Sequence, residues 1–302
     1  MSLLSEKDVK KFHKDGFLLI KNAFSDGEVG KIRSTIDDLT DSEDAKGNII
    51  WPTGRSTRIF VGDVLGKKGL DWLILDDRIV ATAKQLLGTE KIAYFGESSV
   101  QIGVASSRRG FHRDNTDRQN PKAPDWKEEG SSIIKMGVYL QDHKKYSGGL
   151  KVRVGSHLVS DFIDPNNYDV NNEEQGKGKN YNIPSKSGDI MVWSMRLAHS
   201  ANFSRLKLLP NLCLSPRWET RVEKKLPFLL KSKPPISRIA AWVAWGAPGP
   251  ITQRYVDYYV KRGDFIDHWK KSKYNEGLAQ TTSEKGIQIT RPIPEYGSLY
   301  TD

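Results

Sequence analysis

Two periods of apolar and polar residues follow one another along the 302-residue chain, and the change falls near residue 90. Before it the pattern is mixed helix and strand. Ser5-Glu-Lys-Asp8 and Ser25-Asp-Gly-Glu28 both have the capping-box spacing, in which a hydroxyl and a later carboxylate satisfy orphan amides reciprocally, so a helix is predicted to start at each. Between them "GFLLIKNAF" (16–24) reads as a buried strand. A third helix is predicted over about 76–87, stopped by Gly88 where a left-handed cap is wanted.

From residue 91 onward short runs rich in β-branched and aromatic residues recur between turn signals: "KIAYFGESSVQIG", "SSIIKMGVYLQD", "GGLKVRV", "GDIMVWSM", "NLCLSPRW" and "RIAAWVAW". Such a series predicts a β-sandwich or barrel. The segment 165–182, "PNNYDVNNEEQGKGKNYN", is polar and aperiodic, and reads as an exposed insertion between strands. After residue 250 the spacing of Ile251, Tyr255, Tyr258 and Tyr259 is helical, and a patternless tail follows. The expected organisation is one domain over 1–302: a mixed part (1–90), a β core (91–246) and a C-terminal helix with tail (247–302).

Composition narrows the setting more than the chemistry. Hydrophobic residues make up 37% and charged residues 28%, and eight tryptophans and eleven tyrosines argue against disorder. The single cysteine, Cys213, excludes an intramolecular disulfide and a thiolate metal cluster, which suits a reducing compartment. The first twenty residues carry charges every few positions, with no apolar stretch long enough for a signal peptide or a membrane span. A cytoplasmic location is therefore expected. The net charge of +10 is spread along the chain without a block of five like charges, so it reads first as a solvated basic surface.

Candidate chemistry centres on "FHRDNTDRQN" (111–120). Its opening resembles a kinase catalytic loop, but the residue five after the aspartate is Gln119, and no glycine-rich phosphate loop or Asp-Phe-Gly occurs. His112 and Asp114 are instead read as metal ligands, because residues i and i+2 of an extended chain point to the same side. A third ligand must come from the remaining histidines: His13, His143, His157, His199 and His268. His13 and His268 lie in helical stretches, and His143 and His157 sit near turns. His199 ends "GDIMVWSMRLAHS", where Trp193, Met195, Leu197 and His199 alternate onto one face, and is the first choice. Two histidines and a carboxylate form the facial triad of non-haem iron(II) oxygenases, although zinc accepts the same donors.

Four stretches in this order resemble the phytanoyl-CoA dioxygenase family of iron(II)- and 2-oxoglutarate-dependent oxygenases: "DGFLLIKNAFSDGEVGKIR" (15–33), "GFHRD" (110–114), "VYLQDHKKYSGGLKVRVGSH" (138–157) and "SGDIMVWSMRLAHSANFS" (187–204). The resemblance implies a mainly β fold with flanking helices, the double-stranded β-helix or jelly roll, with iron held by His112, Asp114 and His199. It implies 2-oxoglutarate and O2 as co-substrates, split to succinate and carbon dioxide while an unactivated carbon is hydroxylated. Related halogenases lack the carboxylate; Asp114 is present, which points to a hydroxylase.

The distal carboxylate of 2-oxoglutarate calls for a cation that a guanidinium supplies bidentately. The family's arginine lies about eleven residues after the last histidine, where this chain reads "LLPN". Arg205 is the preferred substitute and Arg217 the second. Gln101 and Tyr139, on neighbouring strands, are candidates to line the same pocket; Trp193 reads as core or as a substrate shelf; Arg108 and Arg109 face either an anionic substrate or water. The expected substrate is a small molecule, anionic or sugar-conjugated. Two alternatives stay open: a jelly-roll binding or scaffold protein that has lost 2-oxoglutarate turnover, and a nucleic-acid demethylase. The second is disfavoured because its family carries two arginines six apart after the last histidine, whereas Arg205 and Arg217 are twelve apart.

Overall fold

In a computed structural model of the chain, which describes residues 3–50, 56–60, 63–104, 111–114, 133–158, 178–202, 204–233, 235–260, 274 and 276–290, both capping boxes form. Ser5 opens α1 (Glu6–Asp15) and Ser25 opens α2 (Asp26–Ala45), each hydroxyl accepting from the amide three residues on while that residue's carboxylate accepts from the cap amide. Strand β1 (Phe17–Ile20) occupies only the first half of its predicted stretch. After β2 (Ile49–Ile50), β3 (Ser56–Phe60) and α3 (Trp72–Leu75) comes α4 (Asp77–Leu87), which ends at Gly88 with φ 65°.

The core strands are β4 (Ile92–Tyr94), β5 (Ser98–Val104), β6 (Ile133–Tyr139), β7 (Leu150–Arg153), β8 (Asn180–Asn182), β9 (Ile190–Ser194) and β10 (His199–Ala201). Helix α5 (Pro216–Lys225), β11 (Ile239–Gly246), α6 (Pro250–Val260), α7 (Glu276–Glu284) and β12 (Ile287–Ile289) complete the described elements. A nine-stranded sheet runs β1-β9-β6-β11-β5-β3-β2, with β4 joined to β11 and β12 to β4; a three-stranded sheet runs β10-β7-β8. All described pairings except β4 with β12 are antiparallel.

Period-two alternation assigns the two faces of the large sheet. Ile190 and Val192 of β9, Ile134, Met136 and Val138 of β6, and Ile239, Ala241 and Val243 of β11 pack with Phe12, Ile36, Leu73 and Leu86 from the helices. The intervening residues Met191, Trp193, Tyr139 and Trp242 meet Leu150 and Val152 of the small sheet. The result is a two-layer, largely antiparallel jelly roll with helices on one outer face and no closed barrel among the described residues. The metal motif and the pocket described below lie on the inner side.

Two strand readings differ from the structure. "GDIMVWSMRLAHS" is not continuous: β9 stops at Ser194, a turn crosses between the sheets, and β10 begins at His199. "NLCLSPRW" is not a strand, because Pro216 lacks an amide to donate and occupies the first helical turn of α5 behind the Ser215 cap. Of the predicted insertion, 165–177 lies outside the described residues and Asn180–Asn182 pairs as β8.

Candidate metal centre

His112 and His199 come together through the backbone before their side chains matter. Each amide donates to the other's carbonyl at 2.9 Å, and the Asp114 amide donates to the Met195 carbonyl at 3.1 Å. This pairing holds residues 112–114 extended along the turn that carries His199. His199 Nε2 lies 3.3 Å from Asp114 Oδ2 and His112 Nε2 lies 3.7 Å from Asp114 Oδ1. One donor atom from each of the three residues lies within 4.8 Å of the others.

The orientation of the His199 ring is fixed by its other nitrogen. Nδ1 faces the Leu197 carbonyl at 2.9 Å, and a carbonyl can only accept, so Nδ1 carries a proton and Nε2 is the nitrogen turned toward the cluster. Two imidazoles and one carboxylate, converging from two segments, fit an iron(II) ion.

Behind the carboxylate stands a group that sequence reasoning missed. Lys135 of β6 donates to Glu97 Oε1 at 2.9 Å and to Asp114 Oδ2 at 3.4 Å, and the Tyr255 hydroxyl donates to Glu97 Oε2 at 2.9 Å. Burial by itself would raise the Asp114 carboxyl, but Lys135, His199 and His112 outweigh it and hold Asp114 well below the usual carboxylate range. Burial works against the Lys135 ammonium, yet Asp114 and Glu97 together keep it charged. The one available signal was a lysine inside the apolar run "SIIKMGVYL".

A pocket opens on the same inner side. Gln101, Tyr139, Gln141, His143, Ala201, Asn202, Arg238 and Trp242 contribute to its walls. Ala201 is two residues along β10 from His199, about 6–7 Å on a strand. Gln101 and Tyr139 thus line one pocket.

The arginines are placed differently. Arg205 is 1% exposed, and its guanidinium donates to the carbonyls of His143 (2.7 Å) and Ile183 (2.6 Å). Arg217 is exposed on α5. Arg238, immediately before β11, lines the pocket instead. It donates through one terminal nitrogen to the Ser147 carbonyl at 2.9 Å, while its buried Nε has no hydrogen-bond partner. Gly148 makes room for it: at φ 126° a side chain is disfavoured, and a Cβ there would lie 3.1 Å from the Arg238 guanidinium carbon.

Trp193 is 1% exposed in the core between the sheets, edge-on to Trp242 with centroids 5.3 Å apart. Arg108 and Arg109 lie outside the described residues. His157 is buried in a short 3-10 turn, and its Nε2 donates to the His13 carbonyl at 2.9 Å.

A family model described as phytanoyl-CoA dioxygenase (PhyH) matches residues 12–204, a span that contains all three clustered residues and ends before α5 and Arg238. The ectoine dioxygenase of Bordetella bronchiseptica is 28% identical over 162 residues, 51% of this chain and 50% of that protein. That of Streptomyces coelicolor is 25% identical over 163 residues, 51% of each. The chain thus spans about half the length of the curated relatives it matches. Two solved structures share the fold. The α-ketoglutarate-dependent epimerase SnoN of nogalamycin biosynthesis has a TM-score of 0.55 and 18% identity, covering 80% of each chain. HygX from Streptomyces hygroscopicus, with nickel and 2-oxoglutarate bound, has a TM-score of 0.55 and 18% identity, covering 81% of this chain and 88% of its own.

Proposed function

We propose that this chain, which belongs to the phytanoyl-CoA dioxygenase family, is an iron(II)- and 2-oxoglutarate-dependent dioxygenase that hydroxylates an unactivated carbon of a small or conjugated metabolite. His112, Asp114 and His199 would hold the metal, with Lys135 and Glu97 fixing the carboxylate from behind. When bound, iron(II) supplies the centre at which O2 oxidises 2-oxoglutarate to succinate and carbon dioxide while the substrate carbon gains a hydroxyl. The retained Asp114 carboxylate favours hydroxylation over halogenation.

The observation that carries this reading is Arg238. A half-buried guanidinium with an unpaired Nε, lining a pocket one strand repeat from His199, is suited to a carboxylate. It supplies the cation missing at the family's usual spacing, and so removes the main ground for a scaffold that has lost its co-substrate. Arg238 grips the distal carboxylate, and Gln101 and Tyr139 border it. HygX has been solved with hygromycin B and the EctD of S. alaskensis with 5-hydroxyectoine, which supports a small polar substrate here.

The test is an anaerobic titration of metal-free protein with iron(II) and then 2-oxoglutarate, following the visible band that chelation of the keto acid to iron gives. A saturating band that His199→Ala abolishes is the expected result. Iron binding with no band would overturn the proposal.

A further inference from the structure

Between β10 and β11 the chain makes an excursion that is closed at its base. Leu206 and Leu230 form an isolated bridge, the Lys207 amide donates to the Leu229 carbonyl at 2.9 Å, and the Lys231 amide donates to the Arg205 carbonyl at 2.8 Å. Within it lie six of the ten exposed large apolar side chains among the described residues: Leu208 (88% exposed), Leu209 (59%), Leu212 (50%), Trp218 (54%), Leu226 (41%) and Phe228 (65%). Chance scatter of apolar residues over a surface does not place so many in one short segment.

The same segment is basic on its outside. Residues 206–230 contain five lysines and arginines and two glutamates. Both glutamates are engaged inward: Glu219 is buried against Lys151 at 3.4 Å, and Glu223 accepts from the Ser204 hydroxyl at 2.6 Å. Helix α5 turns Glu219 and Val222 in and leaves Trp218, Arg221, Lys224 and Lys225 exposed, with the Arg221 guanidinium 5.0 Å from the Trp218 ring centroid. The segment is also anchored. The Asn182 side chain donates to the Pro210 and Leu212 carbonyls at 3.0 and 2.9 Å, and Lys151 donates to the Leu214 carbonyl at 2.9 Å.

Side chains this far exposed protrude rather than wall a groove, which disfavours an inserted peptide. A second copy of this chain would set one basic face against another, in a molecule already at +10. A bilayer surface with anionic headgroups accepts both features at once: cations at the headgroups, and leucine, tryptophan and phenylalanine at the acyl boundary. No described helix is long and apolar enough to cross a membrane, so contact would be from one side. We propose that residues 206–230 form a peripheral docking surface for an anionic lipid bilayer, with Leu208, Trp218 and Phe228 entering the interface and the lysines of α5 held at the headgroups.

Co-sedimentation of the full chain with phosphatidylcholine vesicles, with and without phosphatidylglycerol, tests this. Binding is expected only to the phosphatidylglycerol vesicles and is expected to weaken at high salt. The surface variant Leu208→Ser/Trp218→Ser/Phe228→Ser should abolish it. Lys224→Gln/Lys225→Gln should weaken it by about 10-fold or more, since each cation near an anionic surface is worth roughly 5-fold. Both variants should keep the wild-type far-ultraviolet circular dichroism. Failure to sediment with either vesicle, or binding that both variants retain, overturns the proposal. So does a wild-type dimer in sedimentation velocity that the serine variant converts to monomer, which would assign the face to a second copy. The vesicle assay needs neither iron nor 2-oxoglutarate, so its failure is separate from that of the proposed reaction.

Discussion

A guanidinium set into a fold serves as a structural strut or as a grip for a ligand, and the partners of its nitrogens decide which. Arg205 has spent its donors on two backbone carbonyls, whereas Arg238 keeps a buried Nε unpaired beside the pocket. Arg238→Gln is therefore expected to raise the 2-oxoglutarate concentration that half-saturates the iron band by about 30-fold, or ~2 kcal/mol, with little change in urea midpoint. Arg205→Gln should do the reverse, costing ~2–4 kcal/mol of stability with affinity nearly unchanged in the folded fraction. A swapped outcome in these two titrations would reverse the assignment. The three metal-binding candidates were legible because chemistry restricts them to few residue types and one pair is local in sequence. Arg238, the arginine proposed for the co-substrate, was not, because counting from the last histidine assumes a tight turn and α5 lies in between. Lys135 with Glu97, and Glu97 with Tyr255, are 38 and 158 residues apart in sequence, and no local pattern announces such a pairing.

At the scale of elements, signals that act within a few residues were readable, and those that depend on tertiary pairing were not. The two capping boxes and the Gly88 stop appear as expected, whereas β9 and β10 were read as one strand because the apolar alternation continues through the turn that switches sheets. Helix α5 was missed although Ser215-Pro216 is a cap followed by a first-turn proline. What secures α5 is an ion pair between Lys151 of β7 and Glu219, each side chain 1% exposed. Removing one partner strands the other charge in the interior, while replacing both with apolar groups avoids the penalty. Glu219→Ala should therefore lower the unfolding free energy by ~3–5 kcal/mol, and Lys151→Met/Glu219→Leu should recover most of it, as read by urea denaturation. If the single variant is as stable as wild type, the pair does not hold the helix.

The two-layer architecture followed from alternation, but what the whole folded molecule does with pH depends on groups the alternation does not reveal. His143 is 1% exposed; its ring nitrogens contact the Gln141 amide nitrogen at 3.0 Å and the Ser185 hydroxyl at 2.9 Å. The Gln141 amide can only donate, so Nε2 accepts, and Nδ1 donates to Ser185 in the neutral ring. Burial, followed by the positive charges of Arg238 and Arg205, pushes the His143 pKa well below its ordinary 6.5, and burial pushes His157 in the same direction. Both histidines are then neutral when folded but take up a proton on unfolding once the pH falls below about 6.5. The unfolded state binds more protons in that window, so the stabilisation is complete above it and is lost as pH falls, by up to ~1.4 kcal/mol per pH unit for each histidine. Carboxylates such as Asp114, also depressed, join only at more acidic pH, near and below their ordinary 3.8. The unfolding free energy of the metal-free protein should thus be flat from about pH 7 to 8 and fall by ~1–2 kcal/mol between about pH 6.5 and 5.5. In His143→Gln, which keeps polar contacts without the titration, the slope should shrink to the share of His157. A wild-type curve that stays flat down to about pH 5 would mean that His143 is protonated in the fold, with its hydrogen bonds rearranged to match.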